Sequence, residues 1–199
     1  MSERNQATIP TWKRVLFSPT LAEKNESHRI AYIAVMTALV IVANMFFEFK
    51  LADTQFSLTL VISALTGVVI GPLFGGVACF LGDLVGFFYN SGGFAYYPWI
   101  GISMALVAVI SGLTYALPLK MKGALYIKTA IVSVLTFVLC TVAINTTAFW
   151  LIYSKVSYTT YLVSRLFVQG QIWNSVFNYA LLFVAVPLLH RVKHLKVIL

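Results

Sequence analysis

Apolar runs long enough to cross a bilayer follow one another here with little polar sequence between them, and they constrain the chain more than any motif in it. A helical span needs about 20 apolar residues to cover roughly 30 Å of hydrocarbon. Spans are expected near 30–47, 55–70, 72–89, 98–118, 126–153 and 161–189. In 199 residues, 60% hydrophobic and 10% charged, that leaves room for almost nothing else and excludes a soluble domain. The runs are continuous rather than alternating, which argues against an outer-membrane barrel. The expected fold is an all-α membrane protein, a six-transmembrane-helix bundle over 30–190 with tails at 1–29 and 191–199. The second span is short and passes through a tight turn at Gly71-Pro72 into the third.

The cations orient this bundle. If both ends lie on one side, that side carries Arg4, Lys13, Arg14, Lys24 and Arg29. It also carries Lys120, Lys122 and Lys128 between the fourth and fifth spans, and Arg191, Lys193 and Lys196 at the end. The other side holds only Lys50, Lys155 and Arg165. The positive-inside rule therefore makes both termini cytoplasmic and sets Arg165 toward the external end of the last span. The same clustering explains the net charge of +8 without nucleic acid. Trp12, Val15, Leu16 and Phe17 give the N-terminal tail either a short amphipathic piece on the membrane surface or a partly ordered course. Some 29 mixed residues precede the first apolar run, so no cleavable signal is expected. Cys79 and Cys140 fall within apolar runs and read as buried free thiols.

Polar residues inside such a chain are costly and point to a ligand path or to hydrogen bonds between helices. The stretch 165–178, RLFVQGQIWNSVFN, holds the densest set. Arg165, Gln169 and Trp173 recur every four residues, which on one helix forms a single stripe. Asn145, with Thr146, Thr147 and Trp150 nearby, faces it from the fifth span. A guanidinium such as that of Arg165 suits bidentate capture of a carboxylate or phosphate, unless it snorkels to the surface. Asp83 is the one acid well inside a span, and Lys50, Arg165 or a neighbouring turn are its candidate partners. The uncharged connection YNSGGFAYYPW, 89–99, brings Tyr89, Phe94, Tyr96, Tyr97 and Trp99 to the boundary, as an interfacial belt or as a lid. Ala34 and Ala38 give the first span a flat face. Gly67, Gly71, Gly75, Gly76, Gly82 and Gly86 do the same for close packing of the second and third.

No phosphate-binding GxxxxGK[ST], no HExxH, no clustered His/Cys/Asp set and no catalytic acid pair occurs. No cofactor or metal is expected, and the chain is not expected to be an enzyme. An inverted internal repeat is lacking too. Capture of a small molecule from outside fits best, with a stand-alone small-solute channel or secondary carrier as the alternative.

On these residues the chain resembles the S components of energy-coupling-factor (ECF) transporters. The resemblance rests on Ala34 and Ala38, on LTGVVIGPLFGG at 65–76 followed by Gly82-Asp83, and on the aromatic loop before the fourth span. It covers about 30–190 and implies a prokaryotic plasma-membrane subunit that binds a vitamin in its external half and topples in the membrane during transport. It also implies partnership with a transmembrane coupling subunit and two cytoplasmic ATPases. Ala34 and Ala38 would dock on the coupling subunit. Arg165, Gln169, Trp173, Asn145 and Trp150 would contact the vitamin, with Tyr96, Tyr97 and Trp99 closing over it. The loop GGFAYYPWIGIS departs from folate-type members, so cobalamin is the slightly preferred vitamin, ahead of pantothenate or folate.

Overall fold

The computed structural model describes residues 16–51, 54–89, 95–119, 121 and 123–191, with backbone only at 48–51 and 54–56. The elements are α1 (Pro19–Ala22), α2 (Glu26–Phe46), the hairpin β1 (Glu48–Leu51) and β2 (Thr54–Ser57), α3 (Thr59–Ile70) and α4 (Pro72–Tyr89). They continue with α5 (Pro98–Ala116), α6 (Ala124–Tyr153), α7 (Tyr158–Val163) and α8 (Gln171–Arg191). Five of these, α2, α4, α5, α6 and α8, are long and apolar enough to cross a membrane. At 12 residues α3 is about 18 Å long and falls short of the hydrocarbon thickness.

Two expected spans need correction. Residues 54–57 are not the start of a helix: they pair antiparallel with 48–51, Phe49 opposite Phe56 and Leu51 opposite Thr54. Polar and apolar residues alternate through Glu48–Leu51, and across 56–60 Phe56, Leu58 and Leu60 do the same, which is a strand period rather than a helical one. The last span begins at Gln171, not near 161. The preceding helix α7 widens into a π turn at Ser164–Val168, and Gly170 then takes φ 73°, a left-handed conformation that ends the helix. The fifth span is continuous from Ala124 to Tyr153 but runs as a π-helix through Phe137–Thr146.

Of the cations that orient the chain, Arg4, Lys13, Arg14, Lys120, Lys122, Lys193 and Lys196 lie outside the described residues, as do Trp12, Val15 and Phe94. Lys128 belongs to α6 rather than a loop. It is 1% exposed, and its Nζ donates to the Tyr115 carbonyl at 3.1 Å, near the C-terminus of α5.

Small residues let the first half of the bundle close up. Gly67 of α3 meets α5 so tightly that a Cβ would sit 1.9 Å from the Ala108 carbonyl oxygen. Gly75 of α4 and Gly112 of α5 lie against the same stretch, with 2.9 Å to Gly67 Cα and 2.8 Å to Gly67 O for their virtual Cβ atoms. Around this contact Val61, Ala64, Val68, Val107, Tyr115, Val132, Leu182 and Val186 form the main apolar core.

At the glycine-turn end, residues 16–23 pack onto the bundle. Ser18 donates from N to the Ile70 carbonyl (3.2 Å) and from Oγ to that of Val69 (2.6 Å), so it serves carbonyls that α3 leaves open at its end. Leu21 is buried against Val69, Ile70 and Ala78, and Phe17 stacks on Phe74 at 4.8 Å. Arg29 donates to the carbonyls of Leu21 and Ala22 at 3.1 and 2.8 Å and lies over the Phe17 ring. Gly71, at φ 112°, leaves no room for a side chain beneath Phe17 and Ser18.

Gly67→Ala should lower the melting temperature in detergent markedly, because backbone must move and overpacking costs about 1–3 kcal/mol. Gly76→Ala, whose tightest contact is the movable Val109 Cγ2 at 3.0 Å with the Ala105 carbonyl oxygen at an ordinary 3.5 Å, should cost much less. Equal melting temperatures for the two variants would show that the approach of α3 to α5 does not matter.

Candidate ligand-binding site

The hairpin end of the bundle contains a cavity in two adjoining chambers of about 110 and 180 Å³. Thr59, Ile100, Asn145, Gln171 and Asn174 line both. The inner chamber adds Leu60, Met104, Val107 and Cys140 together with the hydroxyl residues Ser103, Thr141 and Ser175. The outer one adds Ser57, Phe149 and Arg165. A larger hollow of about 280 Å³ runs along the outside of α6 and α8 past Val134, Val138 and Val176. It is wholly apolar and faces outward, so it lacks the convergent polar groups of a ligand site.

Asn145 owes its place to the π-helix. Residues five apart share a face where bonds run from i to i+5, which sets Asn145 beside Cys140 and Thr141 on the cavity wall. The Thr146 hydroxyl donates to the Thr141 carbonyl, five residues back, at 2.7 Å. The Asn145 amide donates to Ser103 Oγ at 3.1 Å, and its buried Oδ1 has no hydrogen-bond partner.

Gln171 and Asn174 stand on the first turn of α8, just past the Gly170 break. Asn174 Oδ1 accepts from the Ser57 backbone N–H at 3.2 Å. Fully buried Asn178 donates to the Ser57 carbonyl (2.7 Å) and to the carbonyl and Oδ1 of Asn174 (2.8 and 2.9 Å). Two asparagines thus hold the end of the hairpin against α8 and bring Ser57 and Thr59 to the cavity.

Arg165 sits at the outer chamber with its guanidinium 4.4 Å from the Phe149 ring centre, and its buried Nε has no partner. Phe149 also meets Trp99 and Tyr97 edge-on, at 5.7 and 5.6 Å. Tyr97 stacks on Trp99 at 4.9 Å and hydrogen-bonds the Tyr153 hydroxyl. Tyr96 turns the other way and donates to Asp83 Oδ2 at 2.9 Å. Burial, then the Asp83 charge, raise the Tyr96 hydroxyl above its ordinary pKa, which keeps it a donor. Asp83 therefore has a tyrosine among its partners.

The expected Arg165–Gln169–Trp173 stripe does not form. Gly170 divides it between two helices, leaving Gln169 exposed and Trp173 60% exposed on the outside of α8. Trp150 is occupied locally, donating from Nε1 to the Val156 carbonyl at 2.9 Å and meeting Tyr158 edge-on. Sequence reasoning singled out Asn145 and Arg165, which line the cavity, and passed over Gln171 and Asn174 two to five residues from Gln169. The glycine between two glutamines was the available signal.

The architecture is thus that of a membrane-embedded helical bundle with a cavity of mixed apolar and polar lining beside an aromatic cluster at one end. The family model described as "ECF-type riboflavin transporter, S component" matches residues 24–194. Among solved structures, that of FolT bound with folic acid is similar at a TM-score of 0.60, covering 78% of this chain and 87% of that one at 22% identity. No curated protein matches the chain. The chain belongs to the ECF-type riboflavin transporter S-component family. It is the substrate-binding subunit of a vitamin transporter and not an enzyme, and S components associate with a module of transmembrane and ATPase subunits. Neither comparison supports the expected preference for cobalamin.

Asn178→Ala should destabilise the fold by about 1–3 kcal/mol, since it leaves the Ser57 carbonyl unpaired in a buried setting. Amide exchange at Ser57 should accelerate with it. Unchanged exchange would mean that the hairpin is held by something other than α8.

Proposed function

We propose that the protein captures riboflavin from the outer face of a prokaryotic plasma membrane and delivers it to a coupling subunit powered by two cytoplasmic ATPases. The observation that carries this reading is the mixed lining of the cavity, in which Leu60, Met104 and Val107 stand beside Asn145, Gln171 and Asn174, with Arg165 at the outer chamber. A flavin has the matching mixture: a flat apolar ring system, an imide edge with an N–H between two carbonyl oxygens, and a polyhydroxyl tail. The unpartnered Asn145 Oδ1 suits the imide N–H, amides of Gln171 and Asn174 suit ring carbonyls or tail hydroxyls, and Tyr97 and Trp99 back the Phe149 ring that lines the outer chamber. The riboflavin description of the matching family supports the same ligand.

In this reading the hairpin end faces outward and both termini are cytoplasmic, following the cation count. The short α3 is the sixth span, its crossing completed by the hairpin that precedes it. Arg165 favours a second reading, an anionic vitamin of the folate kind, because a guanidinium pairs best with carboxylate.

Ala34 and Ala38 lie exposed on the outside of α2, as a docking face for the coupling subunit requires. In this reading, bulky residues at both positions abolish assembly with the coupling subunit in co-purification and leave vitamin affinity intact. Loss of both together would point to packing within the bundle instead.

The deciding measurement is fluorescence titration of the purified protein with riboflavin, folate, pantothenate and cobalamin. Riboflavin should bind at submicromolar concentration, and Asn145→Ala should weaken it five-fold or more, as a lost hydrogen bond worth about 1–3 kcal/mol predicts. Arg165→Ala should then have the smaller effect. Folate binding that collapses in Arg165→Ala would favour the second reading, and no ligand at micromolar concentration would end both.

A further inference from the structure

The helix α2 is held to the bundle in two different ways along its length. In its second half it meets α4 directly. A Cβ on Gly82 would lie 2.5 Å from Val40 Cγ1, and one on Gly86 would lie 2.5 Å from Asn44 Cβ. Only Val40 and Ala43 of its 21 residues are buried, and both belong to that half. Nearer its start, α2 leans on residues 17–22 instead. Tyr32, Ile33 and Met36 pack on the cluster that Leu21 forms with Val69, Ile70 and Ala78. The segment fills the space between the start of α2 and the turn joining α3 to α4.

This filler is fastened on both sides. Toward the turn, Ser18 is 3% exposed and bonded to the carbonyls of Val69 and Ile70, while Phe17 stacks on Phe74. Gly71 makes room for it, since a Cβ there would lie 2.4 Å from both Phe17 C and Ser18 N. Toward α2, Arg29 donates from Nε to the Leu21 carbonyl and from Nη2 to that of Ala22, with its guanidinium 5.2 Å from the Phe17 ring centre. A guanidinium grips two carbonyls in one fixed geometry, so the tie is stiffer than apolar contact alone. On the outward side of the same stretch, Ile30, Ala31, Ala34, Val35 and Ala38 are exposed. Close packing on such a face is lost over a fraction of an ångström, so its tilt decides how well a partner helix fits.

We infer that residues 17–22 and Arg29 form a brace that fixes the tilt of the first half of α2 and so holds the Ala34 and Ala38 face in the attitude in which the coupling subunit docks. Phe17, Ser18, Leu21 and Arg29 are then positioning residues, acting through α2 rather than on the partner. The docking part rests on the reading of Ala34 and Ala38 given above, and the brace itself does not. Neither residues 17–22 nor α2 line a chamber of the cavity, so brace and vitamin site are separate.

Two measurements on the full chain test this. Without ligand or partner, spin labels at Ile30→Cys and Ile127→Cys report the distance from the start of α2 to α6. Labels at Phe46→Cys and Leu151→Cys report the other end, and the native Cys79 and Cys140 are buried. Ser18→Ala, Leu21→Ala and Arg29→Ala should each broaden the first distance distribution and leave the second as it is. An unchanged first distance in the folded variants would overturn the brace, as would equal broadening of both, which is general loosening of α2. Where Leu21→Ala does not fold, Ser18→Ala and Arg29→Ala, which leave the apolar cluster intact, decide the matter.

The same variants are then titrated with the cognate coupling subunit and its ATPases, and separately with riboflavin. Assembly should weaken by about five-fold or more, the scale of one lost buried hydrogen bond. Riboflavin affinity should stay within about two-fold, as for distant independent sites. Normal assembly despite a broadened first distance, where bulky residues at Ala34 and Ala38 abolish it, would overturn the link between brace and docking. Assembly that bulky residues at Ala34 and Ala38 also leave intact would overturn the docking reading instead, with the brace still judged by the distances.

Discussion

The contact that the rest of the structure depends on is the approach of three helix backbones around Gly67. In lipid, helices gain no hydrophobic energy by associating, because the surrounding chains are as apolar as their own side chains. What is left is van der Waals contact, which grows steeply as backbones near one another. Gly67, Gly75 and Gly112 bring α3, α4 and α5 to separations that no side chain would tolerate. Gly82 and Gly86 admit α2 against α4 in the same way, at Val40 and Asn44. The result is a tightly packed half, closed at one end by Phe17, Ser18 and Leu21, against which the remaining helices are placed.

That second half carries most of the cavity's polar groups and most of the backbone irregularity. Asn145 lies in the π-helix, Arg165 in the π turn, and Gln171 and Asn174 directly after the left-handed Gly170. The association has a physical basis. A regular helix of this length presents one seam to its neighbours, and apolar packing occupies it. Widening the helix or breaking it turns additional side chains inward without lengthening the span. Buried polar atoms then bond one another where they can, as Asn174 and Asn178 do with Ser57. Trp99 Nε1, Asn145 Oδ1 and Arg165 Nε are unpaired at the cavity or beside it. Such atoms are costly, and Asn145 Oδ1 and Arg165 Nε, which belong to cavity-lining residues, are the ones a ligand's own donors and acceptors can satisfy.

The membrane class, the Gly71-Pro72 turn, the third span and the family could be read from residue order alone. These rest on features with a short-range physical cause: apolar run length, glycine and proline at a turn, small residues at helical spacing. Asn145 and Arg165 were legible for the related reason that polar groups within a span stand out. The hairpin was missed because its alternating apolar residues adjoin a true helix and merge with it in any long window. Trp173 was misplaced because one glycine within an apolar run is usually tolerated in a membrane helix, and only the fold shows that Gly170 takes positive φ. The π-helix has no local signature, since its register is imposed by packing of α6 against α5. Ser18 acts through the carbonyls of Val69 and Ile70, and Phe17 and Leu21 through apolar contacts with Phe74 and with Val69, Ile70 and Ala78, all some 50 residues away in the chain.

The two halves are also joined unequally along their length. Toward the glycine-turn end the ties are buried: Lys128 on the Tyr115 carbonyl, the Tyr115 hydroxyl with Thr129 at 2.6 Å, and Thr136 with Tyr179 at 3.1 Å. Each removes a polar group from lipid, so separating the halves there would strand it at a cost of several kcal/mol. At the hairpin end the joining contacts are of two kinds: side-chain amide hydrogen bonds of Asn174 and Asn178 to Ser57 and of Asn145 to Ser103, and the aromatic cluster of Tyr97, Trp99 and Phe149. The cavity lies among the amides, where a ligand's own donors and acceptors can be matched, and the two halves meet there through polar groups that apolar packing alone would not have required.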